Sequence, residues 1–303
     1  MLRDQQWHHI IVRLQRAMSL LGPFSPVPWL VQIGFRLAPS IWKLRDWREM
    51  VHWCEQQMRS RLLDEKPMQT YHDLAYYLVE AEGEEITDED LFWLHGDSLL
   101  AIVAGSEPTA YALILLFCEL AKHPDHIDKL YEELVNLNVT DLNPTILQIL
   151  SKLPHLNAVI NECLRLYPAL LTGGARKTLD KGIVVGDTFI PPHTTIVAPR
   201  YTISRREDCF HHGNEFIPER WTTSPQMVRN AAAFTPFGTG HHSCLGRGLA
   251  LDTIRLVTAK LVKKYHFRLA PGENGLGVFS DMKDQFTANP GHLEICFELR
   301  KGD

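Results

Sequence analysis

The sequence predicts a mainly α-helical fold with a minor β contribution, and three observations carry that expectation. A stretch from Thr87 to about Ala121 keeps apolar periodicity behind a capping signal. Further helical patterns occupy 44–65, 125–137, 154–167 and the stretch from about Gly246 to Lys264. Val, Ile and Thr gather only late, around a Gly-Asp turn within 182–199, and the tail HLEICFELR alternates as a half-buried strand does.

Taken in order, residues 1 to about 85 hold helical segments interrupted by GPFSPVPW at 22–29, whose three prolines forbid one continuous helix. Between 44 and 65, Trp47, Met50, Val51 and Cys54 fall on one helical face, with charge around the rest of the wheel. Thr87, followed three residues later by Asp90, is an N-cap with an acidic first turn. The helix it starts should end at KHP, residues 122–124. Pro154 suits the first turn of the helix that follows it.

Composition narrows the class. With 45% hydrophobic and 22% charged residues, the 303-residue chain can bury a large core. A net charge of −5 with no basic stripe argues against a nucleic-acid partner. The cysteines at 54, 118, 163, 209, 244 and 296 lack paired spacing, which reads as a reducing compartment. The first twenty residues have no signal-peptide layout. The most apolar stretch, 99–121, is about long enough to cross a bilayer. It carries Glu107 and Pro108 near its middle, so it is read as the buried helix of a soluble protein.

The densest chemistry lies in FGTGHHSCLGRG, residues 237–248, where four glycines and two histidines surround Cys244. Glycine is costly to order, so this density implies close or left-handed turns around a thiol. A metal site using His241, His242 and Cys244 competes with a solvent-exposed turn. Zinc needs four ligands, and no second Cys/His pair stands at suitable spacing; His211 and His212 are isolated. The free amides of a helix starting just after Cys244 favour a thiolate there, and such a thiolate suits a haem iron.

At this loop the chain resembles the cytochromes P-450, the haem-thiolate monooxygenases, through Phe237, Gly240, Cys244 and Gly246 in FGTGHHSCLG. The resemblance implies haem b with Cys244 as axial ligand and, two residues earlier, His242 at the usual position of a propionate-binding arginine. Glu162 and Arg165 in ECLR share one helical face, and the resemblance joins them to Arg220 of FIPERW behind the haem. AGSEPT, 104–109, resembles the family's oxygen-activation segment: Glu107 takes the acid position, Pro108 replaces the relay threonine, and Thr109 supplies the hydroxyl. Pro108 should bend that helix. Arg176 stands where family members place a further propionate-binding arginine.

The resemblance covers nearly the whole chain and is nearest to fungal members. It implies one catalytic domain over 1–303, with 1–85 giving helices that roof the substrate and 86–303 the haem-binding core. The family's N-terminal portion, with its membrane anchor, first strands and haem-holding helix, is not matched, so a fold lacking those elements is expected. The implied activity is insertion of one oxygen atom of O2 into a lipophilic small molecule, with electrons from NADPH through a reductase, at the endoplasmic reticulum surface. Leu99, Ile102, Val103, Leu170 and Leu171 fit a lipophilic substrate and equally fit a core. No stretch reads as a membrane span, which leaves a cytosolic placement open. The patch 23–35 implies at most weak membrane-surface contact. The alternatives are a non-catalytic remnant, and a haem-thiolate isomerase or dehydratase, which Pro108 favours.

Overall fold

A computed structural model of the chain describes residues 13, 16, 17, 19, 28–38, 40–63, 72–82, 86–139, 144–285 and 287–300. The proline-rich break expected at 22–29 and the patch at 23–35 lie outside the described residues as far as position 27. Two compact units are present, one of residues 1–107 with 284–286 and one of 108–283 with 287–303.

In the first unit, α1 (Pro28–Leu37) precedes α2 (Trp42–Leu62) and α3 (Leu74–Glu82). The buried residues of α2 are Asp46, Met50, Cys54 and Met58, a strict four-residue repeat that keeps one face inward. Met50 and Cys54 join Ala17 in a small core against which Trp47, Val51, Trp53, Leu99, Ile102 and Val103 pack half-buried. Ser98 donates its hydroxyl to the Cys54 carbonyl at 3.0 Å, satisfying both in a buried setting.

The helix α4 (Asp88–Lys122) runs continuously through Pro108. Thr87 caps it reciprocally: its amide and hydroxyl donate to the Asp90 carboxylate at 2.8 and 2.6 Å, while the Asp90 amide donates to the Thr87 hydroxyl at 3.2 Å. Burial is confined to part of α4, which corrects the expectation of a buried helix. Tyr111, Leu115, Leu116, Cys118 and Leu120 are buried, whereas Phe92, Trp93 and Leu100 are exposed. By length and composition alone α4 is also apolar enough to cross a membrane.

In the second unit, α5 (Pro124–Leu134), α6 (Pro144–Leu150), α7 (Pro154–Leu166) and α9 (Arg247–Lys264) pack with the end of α4 around one large core. Pro124, Pro144 and Pro154 each open a helix, where a missing amide hydrogen costs nothing. The first free amides of α7, at His155 and Leu156, donate to the two Glu133 carboxylate oxygens at 2.9 Å, so α5 caps α7. Arg255 of α9 donates to the Asn157 side chain of α7 at 2.8 Å.

The β contribution is small. Strands β1 (Arg176–Lys177) and β4 (Thr195–Ile196) pair antiparallel, as do β2 (Ile183–Val185) and β3 (Thr188–Ile190), which meet across a tight Gly186-Asp187 turn. Gly186 has φ +58°, the left-handed conformation such a hairpin needs. After the short helix α8 (Arg200–Ile203) and a run of 3₁₀ turns, α9 leads into β5 (Tyr265–Leu269). The chain closes with α10 (Gly277–Ser280) and the strands β6 (Lys283–Gln285), β7 (Thr287–Asn289) and β8 (Ile295–Leu299), of which β8 pairs with β5.

Candidate haem-thiolate site

Cys244 lies three residues before α9. Its amide donates to the Phe237 carbonyl at 2.8 Å, closing the loop, and the Gly238 amide donates to Thr235 at 3.0 Å. Gly238 and Gly240 have φ +73° and +76°, backbone that a side chain would strain. The density of glycine in the sequence is thus accounted for by left-handed turns at two of its four positions. Gly246 caps α9 with φ −80°, and a Cβ placed on it would stand 4.0 Å from the Cys244 sulfur.

From Thr239 to Leu249 every residue is exposed. Leu245 is wholly exposed at 102% and Leu249 is 71% exposed, an unusual condition for two leucines flanking a thiol. No heavy atom lies within 4 Å of a Cβ built on Gly240 or Gly248. Phe237 is half-buried, packs against the main core, and carries the Arg247 guanidinium 5.8 Å above its ring. His241 and His242 are both exposed, with their rings edge to face at 5.1 Å. Among the described residues no cluster of His, Cys, Asp and Glu is disposed to hold a metal ion, and all six cysteines are free.

A charged cluster elsewhere in the second unit has no access to solvent. Glu162, Arg165 and Arg220 are each at most 1% exposed. Oε1 of Glu162 accepts from Arg165 Nη2 at 2.8 Å, from Arg220 Nε at 2.9 Å and from the Ile217 amide at 2.9 Å. Its Oε2 accepts from Arg165 Nε and from Trp221 Nε1, both at 2.9 Å. Arg165 places its remaining donors on the carbonyls of Ser204, Gly213 and Glu215 at 2.6, 2.7 and 3.0 Å, and Arg220 reaches those of His211 and His212 at 2.8 and 3.3 Å. Each N–H of Arg165 therefore has an acceptor, which is what a buried guanidinium requires. The i,i+3 spacing in ECLR foretells the first pair. Trp221 was missed, although it directly follows Arg220; nothing local says that its indole would turn toward Glu162.

Arg176 sits on β1, opposite Ile196, and donates from Nη1 to the neighbouring Ala175 carbonyl at 3.0 Å. A second cation that sequence reasoning missed, Arg200, follows four residues after Ile196. Its guanidinium lies against the thiol loop: a Cβ placed on Gly238 would meet Arg200 Nη2 at 3.2 Å. Gly173, at φ +71°, lets the chain pass beside both Ala198 and the Arg200 side chain. Burial, and then the Arg176 charge, push the Arg200 pKa below its ordinary value.

On α4, Glu107 and Thr109 are half-buried on either side of Pro108, and a Cβ built on Gly105 would meet nothing within 4 Å. Ser106 returns its hydroxyl to the Ile102 carbonyl at 2.6 Å, a back-bond typical of Ser within helices.

These features fit the haem that the resemblance implies. A thiol stands in open space at a helix start, exposed leucines flank it, and Arg200 lies against the same loop with the Arg176 charge near it. The Cys, Gly and Arg chemistry matches an iron atom, a macrocycle face and two carboxylates respectively.

The description "Cytochrome P450" belongs to a family model that matches residues 5–297. Cytochrome P450 monooxygenase sthD of Phaeosphaeria nodorum is 34% identical over 98% of this chain and 62% of its own length. Tryprostatin B 6-hydroxylase of Aspergillus fumigatus is 36% identical over 88% of this chain and 47% of its own. The chain thus spans about half to three-fifths of the length of these relatives. A crystal structure of the cytochrome P450DA heme domain superposes with a TM-score of 0.75 at 20% identity, covering 98% of this chain and 60% of that one, a likeness of fold. The chain belongs to the cytochrome P450 family.

Proposed function

We propose that this chain is the haem-bearing part of a monooxygenase that inserts one oxygen atom of O2 into a lipophilic small molecule, in fungal secondary metabolism. The observation that carries the reading is the exposed Cys244 thiol, held at the start of α9 by the hydrogen bond its backbone amide donates to the Phe237 carbonyl and by the left-handed turns at Gly238 and Gly240. Bound through such a thiolate, haem supplies oxygen activation, because electron donation from sulfur favours O–O cleavage.

The chain's own residues do the rest. Cys244 holds the iron, Phe237, Gly240 and Gly246 shape the loop around it, and His242 and Arg176 hold the propionates. Glu107 and Thr109 move protons, and because Pro108 has no amide hydrogen the Ala104 carbonyl one turn earlier lacks its usual helical donor. The Glu162, Arg165 and Arg220 cluster fixes the wall behind the loop. Residues 1–303 act as one catalytic domain, the helices of 1–85 roofing the substrate. Electrons arrive from NADPH through a reductase, at the endoplasmic reticulum surface.

The relatives support the substrate class: one is named for hydroxylating tryprostatin B, and others are named as monooxygenases. Packing of Leu99, Ile102 and Val103 into the small core of the first unit means that their apolar character alone is no argument for a lipophilic substrate. A second reading, isomerisation or dehydration without a reductase, is favoured by Pro108 at the relay position; it predicts turnover without NADPH. Haem stoichiometry and the carbon-monoxide difference spectrum of the purified chain test the first reading. One haem per chain with a thiolate-type band is expected, and absence of haem uptake would overturn it and leave a non-catalytic remnant.

A further inference from the structure

Arg200 is half-buried against the thiol loop, with Arg176 as a second cation nearby. Among the described residues neither guanidinium has a carboxylate partner, and the Arg200 side chain makes no hydrogen bond. Arg200 is half-buried, so part of its hydration is lost without a substitute. The two cations are brought together by the fold itself. Arg176 pairs with Ile196 across β1 and β4, and the chain returns at Arg200 four residues later. Three glycines leave space for the two side chains. Cβ atoms placed on Gly173 and Gly238 would stand 3.6 Å from Arg200 Cγ and 3.2 Å from Arg200 Nη2, and one on Gly174 would stand 2.8 Å from Arg176 Nη1. A side chain at Gly174 or Gly238 would crowd a guanidinium, and one at Gly173 would run into the Ala198 carbonyl at 2.7 Å, so the glycines leave the two cations room.

In the same unit the guanidiniums of Arg165 and Arg220, by contrast, share one carboxylate and are surrounded by carbonyls. A cation left without a partner against the loop that carries the thiol, with a second cation near it, defines a place for an anion.

We infer that Arg200, beside Arg176 and against Gly238 of the Cys244 loop, is a second arginine that holds a haem propionate in this chain. The inference rests on the haem reading of the preceding subsection. The geometry gives the reason: the loop that presents the sulfur and the residue that presents the cation touch at Gly238, so a macrocycle seated on one brings its carboxylate edge to the other. A guanidinium offers a propionate two parallel N–H bonds, a fork that lysine lacks.

The test compares haemin with haemin dimethyl ester, whose propionates carry no charge, binding to the full chain by absorbance titration. The chain should prefer haemin. Arg200→Met should cut that preference by about tenfold, the scale of one charge-assisted hydrogen-bonded pair, and leave ester binding where it was. Arg200→Lys should restore part of the preference. A variant that merely perturbs the fold would weaken haemin and ester alike, leaving the ratio unchanged, and that result would overturn the assignment. Uptake of neither compound by the unmodified chain would overturn the haem reading itself and this assignment with it.

Discussion

Two sets of arginines within one compact unit meet opposite fates. Arg165 and Arg220 lie on either side of Glu162 with the three side chains sealed from water, and the carboxylate receives five hydrogen bonds, from both arginines, a backbone amide and an indole. Among the described residues Arg176 and Arg200 have no carboxylate partner, and Arg200 lies against Gly238 of the Cys244 loop. The first set closes on itself and serves the scaffold. The second is left open, which is why a ligand role is proposed for it. The same side-chain chemistry therefore says little about role until its partners are counted, because a buried guanidinium is tolerable only when acceptors surround it.

The largest way to break this comparison is to remove the shared acid. Glu162→Gln leaves two buried guanidiniums without a counter-charge and should destabilise the chain by about 3–5 kcal/mol. Arg176→Met, at an exposed cation with only a neighbouring carbonyl as partner, should leave the unfolding curve in place. Chemical denaturation followed by tryptophan fluorescence measures both. Equal losses from the two variants would erase the distinction between a closed and an open set.

A smaller effect sharpens the scaffold side. His126 and His155 approach at 3.3 Å between Nδ1 and Nε2, with Asp125, Lys129, Glu133 and Glu219 around them. Burial lowers both imidazole pKa values below their ordinary 6.5. The unfolded chain therefore takes up these protons first as the pH falls. Stability from this pair is fully present above about pH 6.5 and is lost as the pH drops through the lower folded values. Asp125 and Glu219, whose pKa values are lowered, add losses of the same sign only in more acidic solution. Denaturation midpoints between neutral and mildly acidic pH should fall for the native sequence, and the slope should flatten in His126→Asn with His155→Asn. An unchanged slope would remove the pair from the account.

Much of this was legible in the sequence, for reasons that are local. The reciprocal cap of Thr87 and Asp90 and the helices opened by Pro124 and Pro154 rest on residues one turn apart. So does the first pair of the buried cluster, since Glu162 and Arg165 are neighbours on one helix. The capture of Trp221 by Glu162 was not legible, because 59 residues separate them and only the packed fold decides where an indole turns. Arg200 was harder still: its interest lies in the absence of a partner, which no sequence pattern records. The exposure of Phe92, Trp93 and Leu100 on α4 likewise escaped, since periodicity gives a helix an apolar character without saying how much of its length is covered.

The claim on which all of this turns is that Cys244 is the haem thiolate, and one measurement addresses it directly. Carbon-monoxide difference spectra of the haem-loaded chain and of Cys244→Ser are recorded beside their unfolding curves. Loss of the thiolate-type band in the variant, with the unfolding midpoint of the haem-free chain unmoved because the residue is exposed, is the predicted result. Retention of that band in Cys244→Ser would contradict it and pass the ligand role to another of the six cysteines.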